Sequence, residues 1–342
     1  MTEAGGSPRL EQPGRERAGA LCPTPQLKTP RAAAKTRRAV GLGAQLEQVG
    51  GWLSAAGHRA ERGTDAAGRS SLIFEMDRRR TILTLEPLSG WCTVRLLGLE
   101  RELHTSAERQ RAALAIARAN HTLRFAVIGR SHHEAGRVEA VVRAPAIEHL
   151  FTRVDLEAVL AELSRAVRAY NAVKRTPSEP LAPIGRPRGE RAEAAASAVA
   201  HDRLETIARW IRQDCELSVW AAAATNGRPG LEIDLSAGAV ATLCLDERGL
   251  SIAAAIAVIP TADILLARLE NLIELADPAS LSALCLDIGT NTLIVRAGLP
   301  LFGAMPDADL VVRSLGDLDR TLTTFGRRLG EPGRGLAEML VA

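Results

Sequence analysis

The chain has 342 residues, of which 46% are hydrophobic, 24% charged and 3% aromatic, with a formal net charge of +3. At roughly 150 residues per domain, that is an ordinary globular composition for about two domains. No apolar run approaches the ~20 residues of a membrane-spanning helix, and so few aromatics leave little for base-stacking platforms. Five cysteines without a CxxC pair argue against a disulfide framework or structural zinc. A reducing cytoplasm is the expected location, with no membrane, metal or cofactor involved.

Residues 1–40 carry eight Lys/Arg against three Glu, a surplus of five, so the remaining chain must be acidic by two to reach +3. The segment also holds Pro8, Pro13, Pro23, Pro25 and Pro30 and shows little apolar periodicity. It is expected to be a disordered basic tail, because it cannot bury enough surface to offset its ordering entropy. It lacks the apolar core of a secretory signal.

A first domain is expected over 41–173. Leu42, Leu46, Val49, Trp52, Leu53 and Ala56 fall at helical spacing, predicting a helix over 42–57 that stops at Gly57. Strands are predicted at 71–77, 81–86 and 91–99. Thr105 and Glu108 form a capping-box pattern for a helix over 106–119. Two further strands, 123–129 and 137–143, precede a long helix marked by Leu156, Val159, Leu160, Leu163, Val167 and Tyr170. The order is α-β-β-β-α-β-β-α. Residues 174–200, with Pro177, Pro180, Pro183 and Pro187, read as a linker.

The second domain, 201–330, repeats that order. Leu204, Ile207, Ala208, Ile211 and Cys215 mark a helix, and strands are predicted at 231–235, 239–246 and 250–259. After Pro260, Thr261 or Asp263 can cap a helix striped by Leu265, Leu269, Leu272, Ile273 and Ala276. Strands over 281–289 and 292–299 lead to a last helix on Val311, Leu315, Leu318, Leu322 and Phe325. Residues 331–342 form a short tail. The fold class read from this pattern is α+β, two tandem units, each an antiparallel sheet packed with helices.

The repeated unit resembles the YbjN and type III secretion chaperone-like fold over about 42–172 and 202–328. The likeness is strongest in ARANHTLRFAVIGRSHHEAGRVEAVVRAPA and in LLARLENLIELADPASLSALCLDIGTNTLIVRAGLPLF. Asn120 and Phe125 match a helix exit and first strand, Gly136 the turn, and Leu299-Pro300 the exit in the second copy. The tandem arrangement and the alanine-rich run 253–258 depart from the pattern. The resemblance implies a non-enzymatic chaperone or adaptor that holds a protein partner on apolar sheet or helix surfaces. Two copies in one chain could pack as an internal pseudo-dimer, and self-association is the other partner expected.

The run Asp287-Ile288-Gly289-Thr290-Asn291-Thr292 looks like a phosphate-binding loop of actin-like and sugar-kinase ATPases. Only 50 residues follow it, too few for the remaining nucleotide loops, so a hairpin is expected, with Gly289 and Asn291 at positive φ. His132, His133 and Glu134 are adjacent, and neighbouring loop residues do not converge on one ion. Cys92, Cys244 and Cys285 fall in strand-like runs, Cys215 on a helix stripe and Cys22 in the tail, none with an evident base. That leaves Trp52, Trp91, Trp210 and Trp220 as candidate partner-binding residues, since Trp anchors interfaces. The alternative function is a nucleic-acid-associated regulator that uses the basic tail and linker.

Overall fold

The computed structural model describes residues 34–65, 67–86, 90–100, 102–131, 137–146, 151–176, 193–223, 229–236, 238–246, 248–258, 269–274, 276, 280–290, 292–301, 306 and 308–329. In the first unit, helix α1 (Ala34–Ala55) leads to strands β1 (Glu61–Thr64), β2 (Ser70–Met76), β3 (Arg79–Glu86) and β4 (Trp91–Glu100). Helix α2 (Ser106–Thr122), strands β5 (Ala126–Arg130) and β6 (Val138–Pro145) and helix α3 (Arg153–Arg175) complete it. The second unit runs from α4 (Glu193–Asp214) through β7 (Val219–Ala223), β8 (Pro229–Asp234), β9 (Val240–Asp246) and β10 (Gly249–Val258). The helical residues 269–274 (α5) follow, then β11 (Ser282–Asp287), β12 (Thr292–Pro300) and α6 (Ala308–Leu329).

Each unit builds one six-stranded antiparallel sheet. The strand orders are β1-β2-β3-β4-β6-β5 and β11-β12-β10-β9-β8-β7, the same path through the sheet in both units. The α+β class and tandem architecture therefore stand. One correction applies to each unit: four strands precede the middle helix, not three. The extra strands escape sequence reading for physical reasons. β1 is charged and β7 is largely alanine, so neither shows the apolar/polar alternation of a half-buried strand.

Alternation fixes which face is buried. On the first sheet Leu72, Leu83, Val94, Val142 and Ala126 lie in one cross-strand row, and all are buried. Leu53 of α1 and Leu156, Val159 and Leu163 of α3 pack over that face. On the second sheet the row Leu231, Leu243, Ile252, Ala297 is buried beneath Leu204, Ile207 and Ile211 of α4 and Val311, Leu318 and Leu322 of α6. The caps are local. Thr105 accepts from the Glu108 amide while Glu108 returns to the Thr105 amide, as its pattern predicted. Thr152 and Asp155 do the same for α3, a pairing the sequence reading did not single out.

Two helices begin ahead of the expected bounds. Helix α1 begins at Ala34, inside the expected tail, because its opening turns are rich in Ala, Lys and Arg, which are strong helix formers. Helix α4 begins at Glu193, inside the expected linker, on an alanine-rich run. The remainder of the tail (1–33), the linker core (177–192) and residues 330–342 lie outside the described residues.

The units are joined through α2. Its residues Ala112, Ala113, Ala115, Ile116, Ala117, Arg118, Ala119 and Asn120 are all buried, as expected of a helix covered on several sides. It packs against α3 and β5 of its own unit and against β11 of the other. Asn120 donates from Nδ2 to the carbonyls of Ile128 (2.9 Å) and Leu284 (3.1 Å), and its Oδ1 accepts from the Ile128 amide (2.8 Å). Gly298 admits the chain after α2: a Cβ there would stand 2.2 Å from the Arg124 carbonyl oxygen. Val127 joins Ala283, Cys285 and Ile294 in a small apolar cluster that spans the two units.

Charge orients this junction. Arg109 pairs with Glu270 (2.6 Å), Arg124 with Asp246 (2.5 Å) and Arg130 with Glu274. In all three pairs the first unit supplies the cation and the second the anion. The pairs are partly buried rather than fully exposed, and their common polarity selects one docking register over others.

Candidate functional site

Strand β4 does not run evenly beside β6. Leu96 faces Ala140 and Glu100 faces Val138, so β4 takes four steps where β6 takes two. Gly98 sits in the bulge at φ +71, a left-handed conformation that favours glycine. Two extra residues preserve the alternation. Glu100 therefore stays on the helix-covered face, under the C-terminal end of α3.

There Glu100 is clamped. The Tyr170 hydroxyl donates to Oε2 (2.8 Å), and Lys174 Nζ donates to both carboxylate oxygens (2.6 and 2.7 Å). Burial, then the Glu100 charge and hydrogen bond, push the Tyr170 phenol well above its ordinary value of 10, so it remains a neutral donor. The Lys174 ammonium also lies 6.0 Å from the Tyr170 ring centroid.

This clamp forms one wall of a cleft of about 980 Å³ between the end of β4, α2 and α3. Leu103, Ala112, Leu114, Ala115 and Val173 supply its apolar surface. Arg111, Arg118 and Arg137 lie along it, with Glu102, His104 and Glu108 at the α2 entrance. Arg118 is 2% exposed. Burial lowers its pKa below the ordinary 12.5, yet a guanidinium stays charged at neutral pH. Glu108 is committed to the cap: its Oε2 accepts from the His104 and Thr105 amides (3.0 and 2.9 Å). Those bonds hold its carboxyl below the usual range. The cleft thus offers fixed charges of both signs around an apolar floor, a surface suited to holding an amphipathic segment.

The four tryptophans do not converge on this cleft. Trp52 packs on the core edge, its ring centroid 6.4 Å from that of Phe151. Trp91 is 3% exposed, with the Arg143 guanidinium 5.0 Å from its ring centroid. Little of its ring is left at the surface. Trp210 is half-buried against the core. Trp220 lies within β7, and it is the exposed one of the four at 39%. Its Nε1–H donates to Glu232 of β8 (2.5 Å). The cleft itself escaped sequence reading because its walls come from three separated segments. Glu100, Tyr170 and Lys174 carry no shared motif.

Asp287 closes the β11–β12 connection by accepting from the Gly289 amide (2.9 Å) and the Thr290 hydroxyl (2.9 Å). Gly289 is not at positive φ, contrary to expectation, because this side-chain turn shapes the connection. Asn291 lies outside the described residues. His121 stands 3.9 Å from Asp287. Burial lowers the His121 pKa, and the Asp287 charge does not reverse it.

Burial pushes the Cys92 thiol far above its ordinary value, aided by the Glu86 charge, and raises the buried Cys285 as well. Neither is a thiolate at neutral pH. Cys215 lies one residue beyond α4 rather than on it, half-buried, and its pKa is raised by burial and then by Asp214. His132, His133, Glu134 and Cys22 lie outside the described residues. Among the described residues no group of three or more His, Cys, Asp or Glu could hold a metal ion, and no helix is long and apolar enough to cross a membrane.

No family model, curated protein or solved structure matches this chain.

Proposed function

We propose that the chain is a non-catalytic cytoplasmic binding protein of chaperone or adaptor type. It would be built from two YbjN- or secretion-chaperone-like units packed as an internal pseudo-dimer, with a segment of a protein partner held in the cleft of the first unit. The shared strand order supports the pairing of like units, and the buried α2 between them supports the pseudo-dimer.

The observation that carries the reading is the cleft, a volume of about 980 Å³ whose apolar floor is edged by Arg111, Arg118, Glu100 and Lys174. Pockets of ordinary ligands fall at about 300–1,000 Å³. This one therefore has room for several side chains of a partner. The clamp on Glu100 keeps one wall rigid before binding, which limits the ordering cost on association.

The experiment is partner capture with two forms of the full chain. Leu114→Trp fills the cleft from the half-buried flank of α2. The wild-type chain retains a partner that the variant releases, and titration calorimetry of that partner gives a negative heat-capacity change. Equal capture by both forms would refute the assignment of the cleft.

A further inference from the structure

The two sheets expose very different outer edges. In the first unit the edge strand β1 reads Glu61-Arg62-Gly63-Thr64, and Arg62 is tied to Glu47 of α1 (2.7 Å). Charge on a short edge strand discourages pairing with another chain. The second unit ends on β7, Val219-Trp220-Ala221-Ala222-Ala223, with no charge and no proline. Its other edge, β11, is packed against α2, while no described strand pairs with the outer side of β7.

The register shows which β7 groups face outward. The Asp234 amide donates to the Ser218 carbonyl (3.1 Å), in line with the pairing of Val219 opposite Ile233. Residues 218, 220 and 222 therefore exchange bonds with β8, and Val219, Ala221 and Ala223 turn their backbone groups away from it. Arg212 of α4 already donates to the outward Val219 carbonyl (2.8 Å). The outward N–H and C=O of Ala221 lie at the centre of the strand.

We propose that β7 is a self-pairing edge, joining a second copy of this chain antiparallel about a twofold axis at Ala221. The choice of occupant follows from self-complementarity. That axis places Ala221 opposite its own copy and the bulky Trp220 opposite the small Ala222 of the second copy, on the same face of the joined sheet. Trp220 is then flanked by Glu232 on one side and a methyl group on the other. The same face carries Val240 of β9, 49% exposed, two strands in from this edge and opposite Asp234. The joined sheet would run to twelve strands.

The test is sedimentation velocity of the full chain over a dilution series. Wild-type protein forms a dimer that dissociates on dilution. Ala221→Pro removes only an N–H that points away from β8, and proline is tolerated at such edge positions; this variant sediments as a monomer throughout. Ala221→Lys sets two like charges face to face across the axis and has the same outcome. Val154→Lys, at an exposed site far from β7 in sequence, leaves the dimer intact. A wild-type monomer at every concentration overturns the proposal and leaves the edge to an extended segment of another protein. A dimer that survives both Ala221 substitutions overturns it too.

Discussion

The amide of Asn120 is bonded to the carbonyl of Leu284, 164 positions along the chain and in the other unit. The same side chain satisfies both backbone groups of Ile128, so one buried residue ties β5 to α2 and α2 to β11. Asn120→Ala orphans these groups. At about 1–3 kcal/mol for a buried unsatisfied group, a loss of roughly 2–4 kcal/mol is expected from urea unfolding. Faster amide exchange along β11 would show where the structure opens.

Two glycines give opposite expectations. At Gly298 a Cβ meets the Arg124 backbone, whereas at Gly316, inside α6, it meets nothing within 4 Å. Gly298→Ala therefore forces the units apart locally and lowers the melting temperature. Gly316→Ala raises stability by about 0.5–1 kcal/mol through helix propensity. Thermal melts of the two variants separate junction packing from a general response to alanine.

Acid should weaken the junction at Asp246. Burial alone would raise its pKa, but the Arg124 hydrogen bond and charge and the Arg248 and Gly249 amides outweigh it and hold the carboxyl below 3.8. A depressed folded-state pKa contributes stability above the unfolded value, and that contribution is lost as pH falls through the folded one. Asp246→Asn is thus expected to be less stable than wild type at neutral pH, with the gap closing below the ordinary aspartate value. Urea titrations at neutral and acid pH measure it.

Much of the architecture was legible in the residues. The Thr105–Glu108 pair announced α2, and the Leu204, Ile207, Ile211 stripe announced the body of α4, because both signals are local. β1 and β7 were not, since a four-residue charged strand and an alanine strand have no alternating pattern to detect. The burial of Trp91 was not legible, because aromatic type alone does not reveal it; the Arg143 that lies over its ring comes from β6, distant in sequence. Glu100, Tyr170 and Lys174 belong together only after a bulge turns β4 beneath α3. The Asn120–Leu284 bond depends on how the units dock, which no spacing within either unit encodes.

Thiol chemistry follows burial. In native protein Cys92 and Cys285 are expected to resist a thiol reagent until the chain unfolds, since both are buried with raised pKa values. Cys215 and Cys244, each partly exposed, label sooner. Mass spectrometry of timed labelling reads the order, and rapid native labelling of Cys92 would contradict the packing of the first sheet.

The most direct measurement of partner binding in the cleft is site-specific photo-crosslinking in cells, with a benzophenone amino acid at Leu114 inside it and at Val154 outside. The expected result is a discrete protein adduct at position 114 that is absent at 154 and abolished by Ala115→Trp. No adduct at 114, or the same adducts at both positions, would contradict it.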